Sequence, residues 1–529
     1  MTTTWQLCGA HRTIGALGAV AAIGMLAPLL GAQAPRGKAV YDKWCAECHG
    51  ATGAGDGSSA AYMLPRPRDF TKGLYQIRTT ASGELPTDAD LLHVVTEGMP
   101  GTAMPDWKTR LNATERGDVV AYIKSMSSFF AGAAPKAISV GKAPSSSSES
   151  IAAGRAAYEK LECFKCHGQE GRGDGTSSPT LKDDYDHPIR AANLSQHWKF
   201  NGGATVEQIY TRLRTGLDGT PMPSFTDAME SEVVTDEQLW QVAQYVRSLG
   251  PEKDPVVREV VRAAQVEGAL PTSPSDSAWA EVEAFWIPLV GQIILKPRWF
   301  APTVDGVWVQ ALHDSKQLVM RVSWDDPSRS PDTPWDEWLG RIRQTMTAVD
   351  SIPIDAAQGP DRLTVQFPTK VTDDAERPYF LGGDSRRPVY AWRWTSTPDE
   401  LQEGRMTGLG TFKAANSSEV THAAVYDNGQ WRLQFTRALV PRDTTTVPTF
   451  SVGTAIPVAF YAADGSSGED EMRGAIGAWY AIYLDVPTPP RVYIAPAATM
   501  LLTAGLGVLV VASAQRRERS GRRSTKEES

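Results

Sequence analysis

"CFKCHGQEGRGDG" spans Cys163–Gly175, and "CAECHGATGAGDG" spans Cys45–Gly57. In each, two cysteines lie three residues apart and a histidine follows the second. Residues three apart on a helical turn share a face, so both thiols and the imidazole are offered on one side of the backbone. This is the pattern of covalent c-type haem attachment, in which the thiols reach two vinyl groups and the imidazole reaches the iron. Zinc would need a second ligand pair near each motif, and only Cys8 is left of the five cysteines. A redox dithiol would not need the histidine twice. The same count excludes a disulfide framework. The motifs therefore predict two haem c groups, one on Cys45, Cys48 and His49 and one on Cys163, Cys166 and His167.

Shifting the first copy by 118 residues superimposes the motifs and more. "GAGDG" at Gly53 falls on "GRGDG" at Gly171, "GTAMP" at Gly101 on "GTPMP" at Gly219, and Trp107 on Phe225. The same register selects the sixth iron ligand. His93, Met99 and Met104 are the candidates in the first copy; they map to Thr211, Leu217 and Met222. Only Met104 and Met222 match, each 55 residues after its histidine. His/Met ligation raises the potential relative to bis-histidine. His187 and His197 have no counterpart in the first copy and are expected at the surface or the haem edge. Each copy ends in a stretch with helical apolar spacing, "RGDVVAYIKSMSSFF" and "DEQLWQVAQYVRSLG". With the haem motif early, a Gly-rich loop after it and a methionine loop late, both copies resemble class I cytochrome c domains.

The rest of the chain is organised around this pair. At 529 residues and about 150 residues per domain, three or four domains are expected. Residues 1–34 carry His11 and Arg12, an apolar run and "AQA", the marks of a secretory signal. Pro35 is awkward for cleavage, so an uncleaved N-terminal anchor is the alternative. The first cytochrome domain is placed at 35–130, a Pro/Ser-rich linker at 131–150, the second at 151–250 and a polar linker at 251–275. Residues 276–486 alternate in short β-type runs between turn residues, which predicts an antiparallel β-sandwich. Eleven of the sixteen tryptophans lie there, read as core rather than as a ligand platform. The uncharged run 492–514 is long enough to cross a bilayer. The basic tail 515–529 places the C-terminus in the cytoplasm and the bulk of the chain on the extracytoplasmic, periplasmic side. The fold class is thus multidomain: two all-α cytochrome c domains, an antiparallel sandwich and a C-terminal transmembrane helix. A net charge of −8 gives no reason to expect nucleic acid as a partner.

Four stretches give the sandwich a further reading: "LVMRVSWDD" at Leu318, "YFLGGDSRRPVYAWRW" at Tyr379, "WRLQFTRAL" at Trp431 and "IPVAFYAADGSSGEDEMRGAIGAWYAIYL" at Ile456. They resemble the haem-binding γ subunits of the ethylbenzene dehydrogenase and dimethyl-sulfide dehydrogenase type. In that family the sandwich holds a b-type haem between a methionine and a lysine. Here Gly382 stands at the methionine position, and "RGAIGAW" before Trp479 supplies no lysine. Met406, Met472 and Lys413 could substitute but lie outside the matching motif. A haem b held by such substitutes stays open, but the expectation is a pocket filled by side chains of the tryptophan-rich strands, with electrons carried by the two c haems.

The resemblance implies a molybdopterin catalytic subunit and an iron–sulfur subunit as partners, with the quinone pool or a cytochrome as redox partner. The chain has no Fe–S cysteine cluster, nucleotide fingerprint or nucleophile constellation, so it is expected to move electrons and turn over no substrate alone. Two other readings stay open. One is a dihaem subunit feeding a terminal oxidase, the other a cytochrome fused to a small-ligand or carbohydrate-binding sandwich.

Overall fold

The computed structural model describes residues 36–132, 134–350, 356–371, 376–415, 418–486 and 491–527. The expected signal or anchor at 1–34 lies outside the described residues.

The first cytochrome domain is built from helices α1 (36–44), α2 (Ala46–His49), α3 (Asp88–Glu97) and α4 (Ala113–Ser125). The second uses α5 (Ser148–Lys160), α6 (Phe164–His167), α7 (Val206–Thr215), a short α8 (Thr226–Glu230) and α9 (Asp236–Ser248). Helix starts follow from capping chemistry. Thr87 and Thr205 open α3 and α7, and Asn112 and Thr235 open α4 and α9, each in a reciprocal capping box. In each domain the first helix crosses the last at a glycine. A Cβ on Gly37 would lie 2.0 Å from the Asp118 carbonyl oxygen, and one on Gly154 would lie 2.0 Å from that of Gln241. Tyr41 meets Tyr122 and Tyr158 meets Tyr245 beside these crossings, both pairs at 5.3 Å.

The copies are not in one register throughout. Upstream of the motif the offset is 117, and the extra residue is absorbed at Glu162, held at φ 58°. After the methionine loop it is 123, because α8 is inserted before the last helix. The linker 131–150 is tied to both domains: Ile138 donates to the Thr79 carbonyl (2.7 Å), and Gln244 donates to that of Pro144 (3.0 Å). A single isolated bridge, Lys182 with Pro188, interrupts the otherwise helical second domain.

The third domain is a sandwich of two sheets. Its strands are β1 (Val260–Gln265), β2 (Phe285–Pro288), β3 (Val290–Gly291), β4 (Gly306–His313), β5 (Gln317–Asp325), β6 (Arg362–Pro368) and β7 (Val389–Ser396). They continue with β8 (Asp399–Met406), β9 (Lys413–Ala414), β10 (Val420–Asp427), β11 (Gln430–Ala438), β12 (Ala455–Ala463), β13 (Ala475–Ile476) and β14 (Tyr480–Leu484). The order is β10-β11-β5-β4-β1-β14-β12-β6-β7-β8-β9. β12 turns the corner: its first half pairs with β14 and its second half with β6. The hairpin β10–β11 closes on Asn428 and Gly429, both at positive φ, the two-residue turn that suits strand twist. Between the sheets Trp324, Trp394, Trp392, Val322 and Phe435 are fully buried.

Two details correct the expectation. The sheet is mixed, not antiparallel, because β1 runs parallel to both β4 and β14. This strand also lies inside 251–275, read from sequence as linker. Only two of its side chains, Val261 and Ala263, face the core, so the local signal is weak. A helix, α10 (Asp336–Asp350), also sits within the sandwich. At the C-terminus α11 (Arg491–Glu527) runs through the predicted span and on through the basic tail. Its stretch Ile494–Ser520 is long and apolar enough to cross a membrane, with its apolar side chains exposed.

Candidate haem sites and their surroundings

The motif histidines are oriented by the backbone. His49 Nδ1 lies 3.0 Å from the Arg68 carbonyl oxygen, and His167 Nδ1 lies 2.9 Å from that of Ala192. A carbonyl only accepts, so Nδ1 carries the proton and Nε2 is left free for a metal. Burial holds both imidazoles below their ordinary pKa, in the neutral form that ligation requires. Phe70 stacks on His49 at 4.5 Å. Tyr41 and Tyr158 donate to the carbonyls of Gly50 and Gly168, each at 2.7 Å, and clamp the turn that follows the motif. Burial pushes the Cys45 and Cys163 thiols up to about 12. Reactive redox dithiols have lowered values, so the environment opposes that reading.

In the first domain these groups open onto a cavity of about 550 Å³. Cys45, Cys48 and His49 line one side, Met99 and Met104 another, with Leu91, Val95 and Trp107 between. The space, the paired thiols, the free Nε2 and the apolar lining fit a haem c. His93 is exposed and is not among the lining residues.

The methionine loops repeat bond for bond. The Met99 amide donates to the Met104 carbonyl at 3.0 Å, and the Leu217 amide to that of Met222 at 3.1 Å. Thr102 and Thr220 each accept from the following methionine amide, at 3.1 and 3.2 Å. Gly98 and Gly216 hold the turn into each loop at φ 71° and 64°. A Cβ there would lie 2.7 Å or less from backbone atoms of the loop. Met104 and Met222 occupy the same place in this loop, and Met99 occupies that of Leu217.

The first cavity is not closed by its own domain. Asp183, Tyr185, His187, Ile189 and Asn201 of the second domain complete its wall. His187 is thus at the edge of the other domain's cavity, where motif matching within one copy could not place it. His197 corrects the surface expectation: it is buried, with Nε2 2.7 Å from the Pro251 carbonyl oxygen. Arg78, fully buried, pins the two domains. It reaches Asp218 at 2.6 Å and the Thr215 carbonyl at 2.8 Å, both at the base of the second methionine loop. The lone arginine gave no sequence signal, because its partners lie 137 and 140 residues away.

The second domain is also bound to the sandwich. Arg172 pairs with Asp325 (3.2 Å), Asn193 donates to Asp325 (2.7 Å) and Lys199 pairs with Asp305 (2.5 Å). Trp198 meets Trp286 and Trp308 edge-on. Nine of the sandwich's eleven tryptophans are buried, as the core reading expected. Beside Gly382, a Cβ would lie 2.8 Å from Gly408 and 3.0 Å from Met406. Met406, Leu409, Phe412 and Met472 fill this region, and the adjoining cavity measures only about 20 Å³. The filling comes from these loop and edge residues rather than from the tryptophan-rich strands.

Comparison with known proteins places a cytochrome c-type match on each of the two domains. Residues 32–123 match the cytochrome c oxidase, cbb3-type, subunit III family, and residues 151–250 match the cytochrome c family. A Haloferax mediterranei protein named for a respiratory nitrate reductase haem subunit is 27% identical over 243 residues, 46% of this chain and 78% of that protein. A chain of the reducing HAO-like protein complex of Kuenenia stuttgartiensis is 43% identical, covering 41% of this chain and 96% of that one, with a TM-score of 0.39. A family 9 carbohydrate-binding module of Caldicellulosiruptor kristjanssonii is 13% identical over 44% of this chain and 96% of its own, with a TM-score of 0.26. The two domains make the chain a dihaem cytochrome c. It is an electron-transfer protein with two haem c groups and a candidate C-terminal membrane anchor.

Proposed function

We propose that this chain is the membrane-anchored electron-transfer subunit of an extracytoplasmic oxidoreductase, resembling the γ subunits of molybdopterin enzymes. Cys45 and Cys48 attach one haem c, with His49 and Met104 as its axial ligands. Cys163 and Cys166 attach the other, with His167 and Met222. One-electron oxidation and reduction at iron is the chemistry these groups supply. The protein's part is to hold both imidazoles neutral and aimed, to exclude water, and to set the two centres side by side. The observation that carries the reading is the shared wall: second-domain residues complete the first haem cavity. Held by these residues, the two groups would lie within one folded unit, where electron exchange between them needs no partner. The sandwich, bound to the second domain, serves as the docking face toward a partner.

A molybdopterin subunit and an iron–sulfur subunit are the partners proposed, with the quinone pool or a cytochrome at the other end. The relative's name, a nitrate reductase haem subunit, supports this class. The oxidase reading keeps one specific observation, the match of the first domain to the cbb3-type family. Isolation of the native complex with metal analysis decides between them. Co-purifying molybdenum with iron in excess of two per chain is expected; copper without molybdenum would overturn the molybdoenzyme reading. Protease protection of membrane vesicles tests the sidedness, with only the tail 515–529 expected on the cytoplasmic side.

A further inference from the structure

The sandwich buries four carboxylates in one place. Asp326, Asp361, Asp464 and Glu469 have essentially no exposed surface. Asp326, Asp361 and Asp464 each present an oxygen within 4.8 Å of the others'. They come from three separate parts of the chain, just after β5, just before β6 and just after β12, so the fold converges them.

The surroundings supply donors unevenly. Glu469 accepts from Trp299 Nε1 (3.0 Å) and the amides of Thr303 and Asp464 (2.7 and 3.1 Å). Asp361 accepts from the amides of Ser330 and Gly465 and from Trp431 Nε1, at 2.9 to 3.0 Å. Asp464 accepts from the Ser466 amide and from the hydroxyls of Ser330, Thr303 and Ser467. Asp326 is different. Its Oδ1 has one long bond from the Ser328 amide (3.2 Å), and its Oδ2 has no partner. A fully buried carboxylate oxygen facing two further carboxylates without a donor is costly unless something positive meets it. Arg190 of the second cytochrome domain reaches Ser467 and bears on Glu469, at the rim of the group.

We propose that Asp326, Asp361 and Asp464 bind a divalent cation of calcium type inside the sandwich, beneath the second cytochrome domain. The donor set is oxygen only, with neither histidine nor cysteine in the group, which disfavours zinc and copper. Carboxylates enclosed by protein, with hydroxyls of Ser330 and Ser467 able to turn a lone pair inward, suit calcium. Magnesium usually keeps several waters.

The site has a structural consequence. Asp325, next to Asp326, receives Asn193 and Arg172 of the cytochrome domain, and Ser467, between Asp464 and Glu469, receives Arg190. The cation ties together the loops whose outer surfaces carry that domain.

The test uses the full chain in detergent, freed of loose metal by gel filtration without chelator. Elemental analysis should give one calcium for every two irons. Chelation should lower the thermal midpoint of the sandwich, and calcium at about a hundredfold over its Kd should restore it by about 5–10 °C. Asp326→Asn, which keeps the side chain's shape, should abolish both the calcium and the shift while retaining both haems. Background calcium with a midpoint indifferent to chelator and to added calcium would overturn the proposal, whatever the variant does. So would an Asp326→Asn protein that still holds stoichiometric calcium.

Discussion

In the first cytochrome domain the haem cavity is completed by residues of the second; the second rests on both the first domain and the sandwich. Around the iron positions the two are alike: the same histidine-to-carbonyl bond, the same tyrosine clamp, the same methionine loop. They differ in what faces outward. The second carries an extra helix, α8, and the loop residues Arg172, Asn193, Trp198 and Lys199 that reach the sandwich. The interior is dictated by what one prosthetic group requires, so it repeats. The exterior is dictated by neighbours, so it diverges: the first domain meets the third through Tyr62 against Phe300 and Arg66 on the Thr345 carbonyl, the second through this larger polar and aromatic set.

The strongest way to break this comparison is to remove one centre. Cys163→Ala with Cys166→Ala should reduce covalent haem from two per chain to one, measured by iron content and by haem stain after denaturation. If the first domain then also loses its haem, the copies are not independent in assembly. Next is the pin between them. Arg78→Ala leaves Asp218 without its partner, and breaking a buried pair costs about 3–5 kcal/mol. Since Asp218 keeps some exposure, the low end is expected. Calorimetry should show it, together with slower electron exchange between the haems.

A third experiment sharpens the equivalence of the methionine loops. Met104→Leu and Met222→Leu should each remove half of the long-wavelength absorption of Fe–S(Met) ligation, and Met→His at either should lower that centre's potential. Met99→Leu should leave the band intact; its loss there would transfer the ligand role to Met99. The smallest effect is expected at the outer edge of the second domain's contact with the sandwich. Trp198→Ala removes edge-on contacts with Trp286 and Trp308, worth about 0.5–1.5 kcal/mol per aromatic pair. A modest weakening of second-domain docking, seen as faster proteolysis of the 251–259 segment, is the expected result.

The sequence alone determined the chemistry of this protein. C-x-x-C-H twice, with methionines at one fixed spacing, is a local covalent pattern, and local patterns are readable without a fold. The apolar span near the C-terminus is readable for the same reason, since membrane crossing depends on length and composition. The tertiary structure decided what depends on partners far apart in the chain. β1 is a strand because β4 and β14 flank it, and its two inward side chains say little alone. Arg78 matters because Asp218 waits at the other domain's loop. Asp326, Asp361 and Asp464 are ordinary acids in sequence and an electrostatic problem only once three chain segments bring them within reach of one another. Reactivity is written residue by residue, whereas burial and charge balance exist only after the chain has closed on itself.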